Sequence, residues 1–260
     1  AYYRYAGRHA EAERTLNQAI AISRERDLDD DIAWLTIDVA RSRFDRADYG
    51  GARALLVQAV GDGSGPKTTE ARIRLARVDV RLGDFPTAAQ ELETAAAELG
   101  AGRGDPNLAP LLDTARGELA FASGADRDSR AHFEKAAALW TDDRPDAASV
   151  EARAYLGILD TRQGRMASAR QALESSLAQA GRMGRYGLEV RCRVYLAQLN
   201  VGQRQFAAAA ELLRNIPSDG DRALGAEAQA QVHHWRSQAL KGIGDAAGSE
   251  RDEEAAQRFL

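Results

Sequence analysis

Apolar residues recur at three- and four-residue spacing along nearly the whole chain, and glycine and proline interrupt the pattern at regular intervals. Period-two alternation is not sustained anywhere and β-branched residues are sparse, so the pattern does not predict strands. Alanine and arginine, both strong helix formers, fill the remaining positions. The expected class is all-α, built from helices joined by short turns.

Aligning the turns exposes a repeat. Gly7, Ala47, Gly83, Gly124, Gly164, Arg204 and Gly244 each fall between two helical patterns, 36 to 41 residues apart. Five positions past each stands a small residue: Ala12, Ala52, Ala88, Ser129, Ala169, Ala209 and Ser249. Nine past it comes a larger one, Leu16, Leu56, Leu92, Phe133, Leu173 and Leu213, with Glu253 as the exception. Twelve past it are Ala19, Ala59, Ala95, Ala136, Ser176, Ile216 and Ala256, and upstream an aliphatic–small pair recurs as Val39-Ala40, Leu75-Ala76, Leu156-Gly157 and Leu196-Ala197. Small residues let two antiparallel helices approach closely, and the larger side chain one turn on fills the remaining gap. A single pair cannot bury its apolar face, so pairs must stack.

Gly83-Asp84-Phe85 followed by Ala88, Leu92 and Ala95 resembles the second half of a tetratricopeptide repeat, and Leu156-Gly157 leading to Gly164 and Ala169 resembles a first half joined to it. The resemblance spans the chain and implies a right-handed α-solenoid of antiparallel helix pairs, about 6.5 repeats and 13–14 helices. The period, near 40, exceeds the ~34 residues of the standard unit, and helical repeats of the HEAT and armadillo kind, at roughly 40–47, stay open. The expected organisation is one repeat domain over 1–260, with units near 1–28, 29–66, 67–104, 105–144, 145–184, 185–217 and 218–260. Caps are expected at Asp105-Pro106, Asp29-Asp30-Asp31, Thr68-Thr69 and Ser218-Asp219.

The chain begins with Ala1 and leaves only Ala1–Ala6 before the first turn, so it is read as the C-terminal part of a longer protein. Glu253, in a slot filled elsewhere by Leu or Phe, marks a polar capping helix. Composition changes this picture little. A net charge of -4 and a pI near 5.7 offer no electrostatic case for direct nucleic-acid binding. No apolar run approaches the ~20 residues of a membrane helix, and no signal peptide opens the chain. Of 35 basic residues only Lys67, Lys135 and Lys241 are lysines, as in GC-rich bacterial genomes. The expected compartment is cytoplasmic.

Candidate chemistry is thin. Gly61–Thr68 nearly spells a phosphate-binding loop, but Pro66 stands where the motif needs glycine and a helix precedes it, so it reads as a linker. Cys192 is a lone cysteine between Arg191 and Arg193, read as a packing residue. His9, His132, His233 and His234 form no metal-ligand spacing; the adjacent pair should point to different sides of one helix. No catalytic, cofactor or metal constellation is expected.

A surface remains. The resemblance implies that the first helix of each repeat lines a concave groove for a peptide or partner helix. Counting 13, 10, 6 and 3 residues back from each turn selects Trp34, Ile37, Arg41 and Phe44, then Glu70, Ile73, Arg77 and Val80 with Arg81 adjacent. Further along it selects Phe121, Thr161, Arg191, Gln198, His234 and Lys241, with Arg162 at the edge. Aromatics and arginines are the types enriched at binding hot spots, which suits an acidic or aromatic partner segment. Trp34 and Phe44 have a second reading, as packing residues. The leading expectation is a non-catalytic protein-interaction scaffold. The alternatives are a sensing arm of a bacterial transcription regulator or protein kinase, and, on the defective loop alone, a nucleotide enzyme.

Overall fold

The computed structural model describes residues 8–61, 66–138, 146–217 and 224–259. They form thirteen α-helices, one short 3-10 turn at Pro106–Leu108, and no strand among the described residues. The helices are α1 (His9–Glu25), α2 (Asp29–Asp45), α3 (Tyr49–Gly61), α4 (Pro66–Leu82), α5 (Phe85–Gly100), α6 (Ala109–Ala122) and α7 (Asp126–Ala138). They continue as α8 (Ala147–Arg162), α9 (Met166–Arg182), α10 (Tyr186–Gly202), α11 (Phe206–Leu213), α12 (Ala226–Gly242) and α13 (Ala246–Gln257). Two compact units result, unit 1 with Arg8–Ala152 and unit 2 with Arg153–Leu260.

The turn residues are where the repeat pattern puts them. Ala47, Gly83, Gly124, Gly164, Arg204 and Gly244 all have positive φ, between 60° and 86°, reversing the chain between the two helices of a pair. Gly7 lies outside the described residues. Glycine enters this region without steric cost, whereas Ala47 and Arg204 hold it against their own Cβ. Asp48, Asp84 and Asp245 directly follow three of these turns, and each carboxylate accepts a backbone N–H of the next helix, from Gly51, Thr87 and Gly248. The expected caps fare differently. Asp105 accepts from Asn107 N–H, but α2 is preceded by Leu28 with no side-chain cap. Thr68 and Thr69 lie inside α4, where the Thr69 hydroxyl donates to Glu98 at 2.7 Å; Ser218-Asp219 falls outside the described residues.

The small–large–small rows are the core. Ala52, Leu56 and Ala59 pack with Ile37, Ala40, Ala71, Leu75 and Val78; Ala88, Leu92 and Ala95 pack with Ile73, Ala76, Leu112 and Ala115. In unit 2 Ala209, Leu213 and Ile216 pack with Val190, Val194, Ala197 and Val232. Within these small–large–small rows the approach is tightest where the large residue is Phe133. It lies against Gly117, where a Cβ would sit 2.5 Å from the ring, and the buried Ser129 hydroxyl donates to the Gly117 carbonyl at 3.0 Å. Among the corresponding residues in pairs that use leucine, Ala40, Ala76 and Ala197 keep a methyl group, whereas Gly157 faces Leu173, where a Cβ would come within 2.9 Å of that side chain.

Neighbouring pairs are also keyed by polar contacts at a fixed register. The sixth residue past one turn meets the residue four before the next turn. Glu13 accepts from Arg43 at 2.8 Å, the buried Asp79 accepts from Arg53 at 2.7 Å, and Asn200 accepts from Arg170 at 2.7 Å. The polarity reverses between the first two couples, and Ala89 and Ala120 hold the same two registers in the intervening repeat.

The terminal pair departs from the expected pattern. Glu253 does point to solvent, but the buried place is taken one residue earlier by Asp252. Its carboxylate receives Arg236 at 2.5 and 2.7 Å and lies 2.7 Å from Nδ1 of His233. His233 is therefore buried, stacked against Phe259, and not a partly exposed residue; His234 faces outward. Burial disfavours the Asp252 charge most strongly, but Arg236 and His233 together outweigh it and hold the carboxyl below its ordinary range.

Two outcomes follow from this packing. Gly117→Ala should destabilise the chain by about 1–3 kcal/mol despite alanine's better helix propensity, and Phe133→Leu in that background should recover part of the loss in urea melts. A depressed carboxyl contributes stability that is complete above its unfolded pKa of ~3.9 and disappears as pH falls through the folded value. The Asp252→Asn variant should therefore be less stable at neutral pH and lose less stability than wild type on acidification below ~4, as measured by urea midpoints across pH.

Candidate partner-binding face

Within each unit the first helices of successive pairs, α2, α4 and α6 in unit 1 and α10 and α12 in unit 2, lie directly against one another. The residues these helices present are set by rotation about the helix axis. Positions ten before the turn are Ile37, Ile73, Thr114, Ala154, Val194 and His234, and all but His234 are buried. That row belongs to the packing of first helix on second. Ile37, only 2% exposed, sits in the core with Ala40, Leu56 and Ala71, so its assignment to a groove is corrected. The row nine before the turn is mixed: Asp38, Ala115 and Tyr155 are buried, and Arg74, Tyr195 and Trp235 are half-buried.

In unit 1 this rotation brings arginines and acids together. Trp34 stands 41% exposed at the start of the face. Arg41 donates to Asp38 at 2.9 Å, and its buried Nε has no hydrogen-bond partner among the described residues. Arg74 donates twice to Glu70, at 2.6 and 2.8 Å. Burial, and then the charge of Arg41, push the Arg74 guanidinium down to about 9, so it stays a cation at neutral pH. Burial opposes the Glu70 charge, but Arg74, Arg41 and Lys67 outweigh it and keep that carboxyl below its ordinary range.

Arg77 reaches two helices at once, 2.6 Å from Glu118 on α6 and 2.9 Å from Glu151 on α8, with Arg81 3.6 Å from Glu118. Phe44 is half-buried, edge-on to Tyr49 at 5.4 Å, with the guanidinium groups of Arg77 and Arg81 at 5.6 and 6.0 Å from its ring centre. Phe44 is thus part of the packing and of the charged face together. Phe121 is half-buried on α6. Substituting Arg77 by an acid would set three carboxylates against one another and disturb the unit itself, so such a change cannot report on binding alone.

In unit 2, Arg191 lies over the ring of Tyr155 at 5.4 Å and Gln198 is half-buried one row along. His234 is exposed and edge-on to Trp235 at 5.0 Å, while Lys241 and Arg162 are exposed. The structure therefore joins Arg41, Phe44, Arg77 and Arg81 in one unit, and Arg191 with Tyr155 and His234 with Trp235 in the other. The residues that counting from the turns missed are Arg74, Tyr195 and Trp235 and the acids Asp38 and Glu118. A signal for the row was present: the column ten before the turn is mostly aliphatic or small, as a buried row must be. Among the described residues no group of His, Cys, Asp and Glu could hold a metal ion, and no helix is long and apolar enough to cross a membrane. His132 pairs with Asp113 at 3.2 Å, and Cys192 is buried.

No family model matches the sequence, and no curated protein matches it. Solved structures do match in shape. PilW, a widely conserved type IV pilus biogenesis factor, aligns with a TM-score of 0.56 at 19% identity, over 87% of this chain and 93% of its own. BtubC from P. vanneervenii aligns at 0.58 and 16% identity, over 94% and 90%. The nearly identical TPR-like repeats of a predicted kinesin light chain of Podosopora anserina align at 0.53 and 16%, over 73% and 93%. With the helix pairs described above, these likenesses establish the fold as an all-α solenoid of the tetratricopeptide-repeat kind.

Proposed function

We propose that this chain is a non-catalytic interaction module that holds a peptide or an exposed segment of a partner protein against its first helices. The observation that carries the reading is the make-up of that face. Trp34 is exposed on the same helix as Arg41, and Tyr195, Gln198 and Trp235 stand half-buried on the first helices of unit 2. Aromatic rings offer large contact area at small entropic cost, and amide side chains both donate to and accept from a peptide backbone. The second helices, by contrast, present mainly isolated polar residues outward, and isolated exposed apolar side chains such as Val57 require no explanation. An acidic or aromatic segment is the partner this face would suit. The fold neighbours include a pilus biogenesis factor, and assembly work of that general kind is compatible with such a module.

Selection from a displayed library of random peptides should yield saturable binders to the intact chain. Their affinity should fall about tenfold or more in a Trp34→Ala, Gln198→Ala variant and stay unchanged in Val57→Glu, on the second helix α3. An empty selection, or binders indifferent to the first-helix changes, would overturn the reading.

A further inference from the structure

The helix α13 is docked differently from the other second helices. Those helices each bury one large apolar side chain, Leu16, Leu56, Leu92, Phe133, Leu173 and Leu213, none of them more than 6% exposed. On α13 Ala256 is the only buried apolar side chain, and its buried row is completed by Gly248, Ser249 and Asp252. Polar contacts to α12 stand in for the missing leucine. The Asp252 carboxylate receives Arg236 at 2.5 and 2.7 Å and lies 2.7 Å from Nδ1 of His233, and the buried hydroxyls of Ser237 and Ser249 are 3.0 Å apart. The groups that face Asp252 are therefore Arg236 and His233 from α12. The helix α11 contributes the Leu213 carbonyl, which accepts from Arg236 at 3.4 Å, and Phe259 covers the His233 ring. The neighbouring charges on α13 itself, Glu250, Arg251, Glu253 and Glu254, are exposed.

We infer that α13 is a releasable latch on α12, held shut by the Asp252 carboxylate and freed as one unit when that carboxylate loses its charge. Removing one member of a buried ionic cluster strands the others: Arg236 and His233 would be left in the interior without their acid, and they regain water only if α13 moves away. Little apolar contact opposes the movement, and segments with few buried apolar contacts are those that open locally while the rest of a domain stays folded. The connection between the two helices supplies a hinge, since Gly244 at φ +86° holds the reversal without steric cost. The direction of the pH response follows from the carboxyl being held below its ordinary range by Arg236 and His233 against the cost of burial. The latch is then fully closed above an unfolded pKa of ~3.9 and gives way as pH falls through the folded value. Release bares His233, Arg236 and Ser237 on the helix that also carries Trp235. The latch does not depend on what the first-helix face binds.

Hydrogen–deuterium exchange on the intact chain at neutral pH tests the latch, with Asp252→Asn compared with wild type. The substitution keeps the size of the side chain and removes its charge. Exchange in α13 should quicken by about tenfold or more, while α8, α9 and α10 keep their wild-type rates. A control that removes two charges from the exposed side of the same helix, Glu253→Gln with Glu254→Gln, should leave α13 at the wild-type rate. Wild type brought to a pH of about 3 should show the same local opening once rates are corrected for the intrinsic pH dependence of exchange, with α13 ahead of the rest of unit 2. An unchanged α13 in Asp252→Asn, or equal quickening in the control, would overturn the inference. So would a loss of protection shared by all helices of unit 2, in the variant or in acid, because α13 would then be an inseparable part of the fold.

Discussion

The close approach of paired helices governs everything else in this protein. Each pair turns back through a residue with positive φ and then packs alanine or serine against the preceding helix, at a distance that admits only small side chains on both sides. Where Phe133 replaces leucine the opposite residue is Gly117, and in unit 2 Phe206 likewise lies where a Cβ on Gly242 would come within 2.1 Å of its ring. Gly157 opposite Leu173 shows that close approach can demand glycine even in a pair that uses leucine. A pair built this way still has an uncovered apolar side, so the pairs stack and polar couples such as Arg53–Asp79 and Arg170–Asn200 fix which registers meet.

That constraint also decides what is left for function. Second helices spend their buried rows on the core, and first helices retain rows that meet neither helix partner fully. The chemistry placed on those rows then differs by unit. Unit 1 has drawn its arginines into a network with Asp38, Glu70, Glu118 and Glu151 that ties α2, α4, α6 and α8 together. Unit 2 carries the half-buried Tyr195, Gln198 and Trp235 on its first helices.

Much of the architecture could be read in advance because its causes are local and periodic. Positive-φ turns, and the small and large residues five, nine and twelve positions on, repeat at a fixed distance from a recognisable marker. Rotation of the first helices was less legible: a shift of one position, from Ile37 to Asp38, exchanges an apolar core contact for a buried carboxylate that receives Arg41, and spacing alone does not resolve it. The partners of Arg77 were illegible for another reason, since Glu118 and Glu151 lie on helices that only the stack brings near. The terminal helix shows the same limit. Glu253 was rightly expected to be polar and outward, but the slip that buries Asp252 with His233 and Arg236 depends on a neighbouring helix supplying the counter-charge.

Hydrogen–deuterium exchange on the intact chain, with and without a saturating library-selected peptide, tests the central claim most directly. Binding should slow exchange in the first helices, α2, α4, α6, α8, α10 or α12, and leave α3, α5, α7, α9 and α11 at their free rates. Protection confined to those second helices, or saturable binding with no protection on any first helix, would contradict the account.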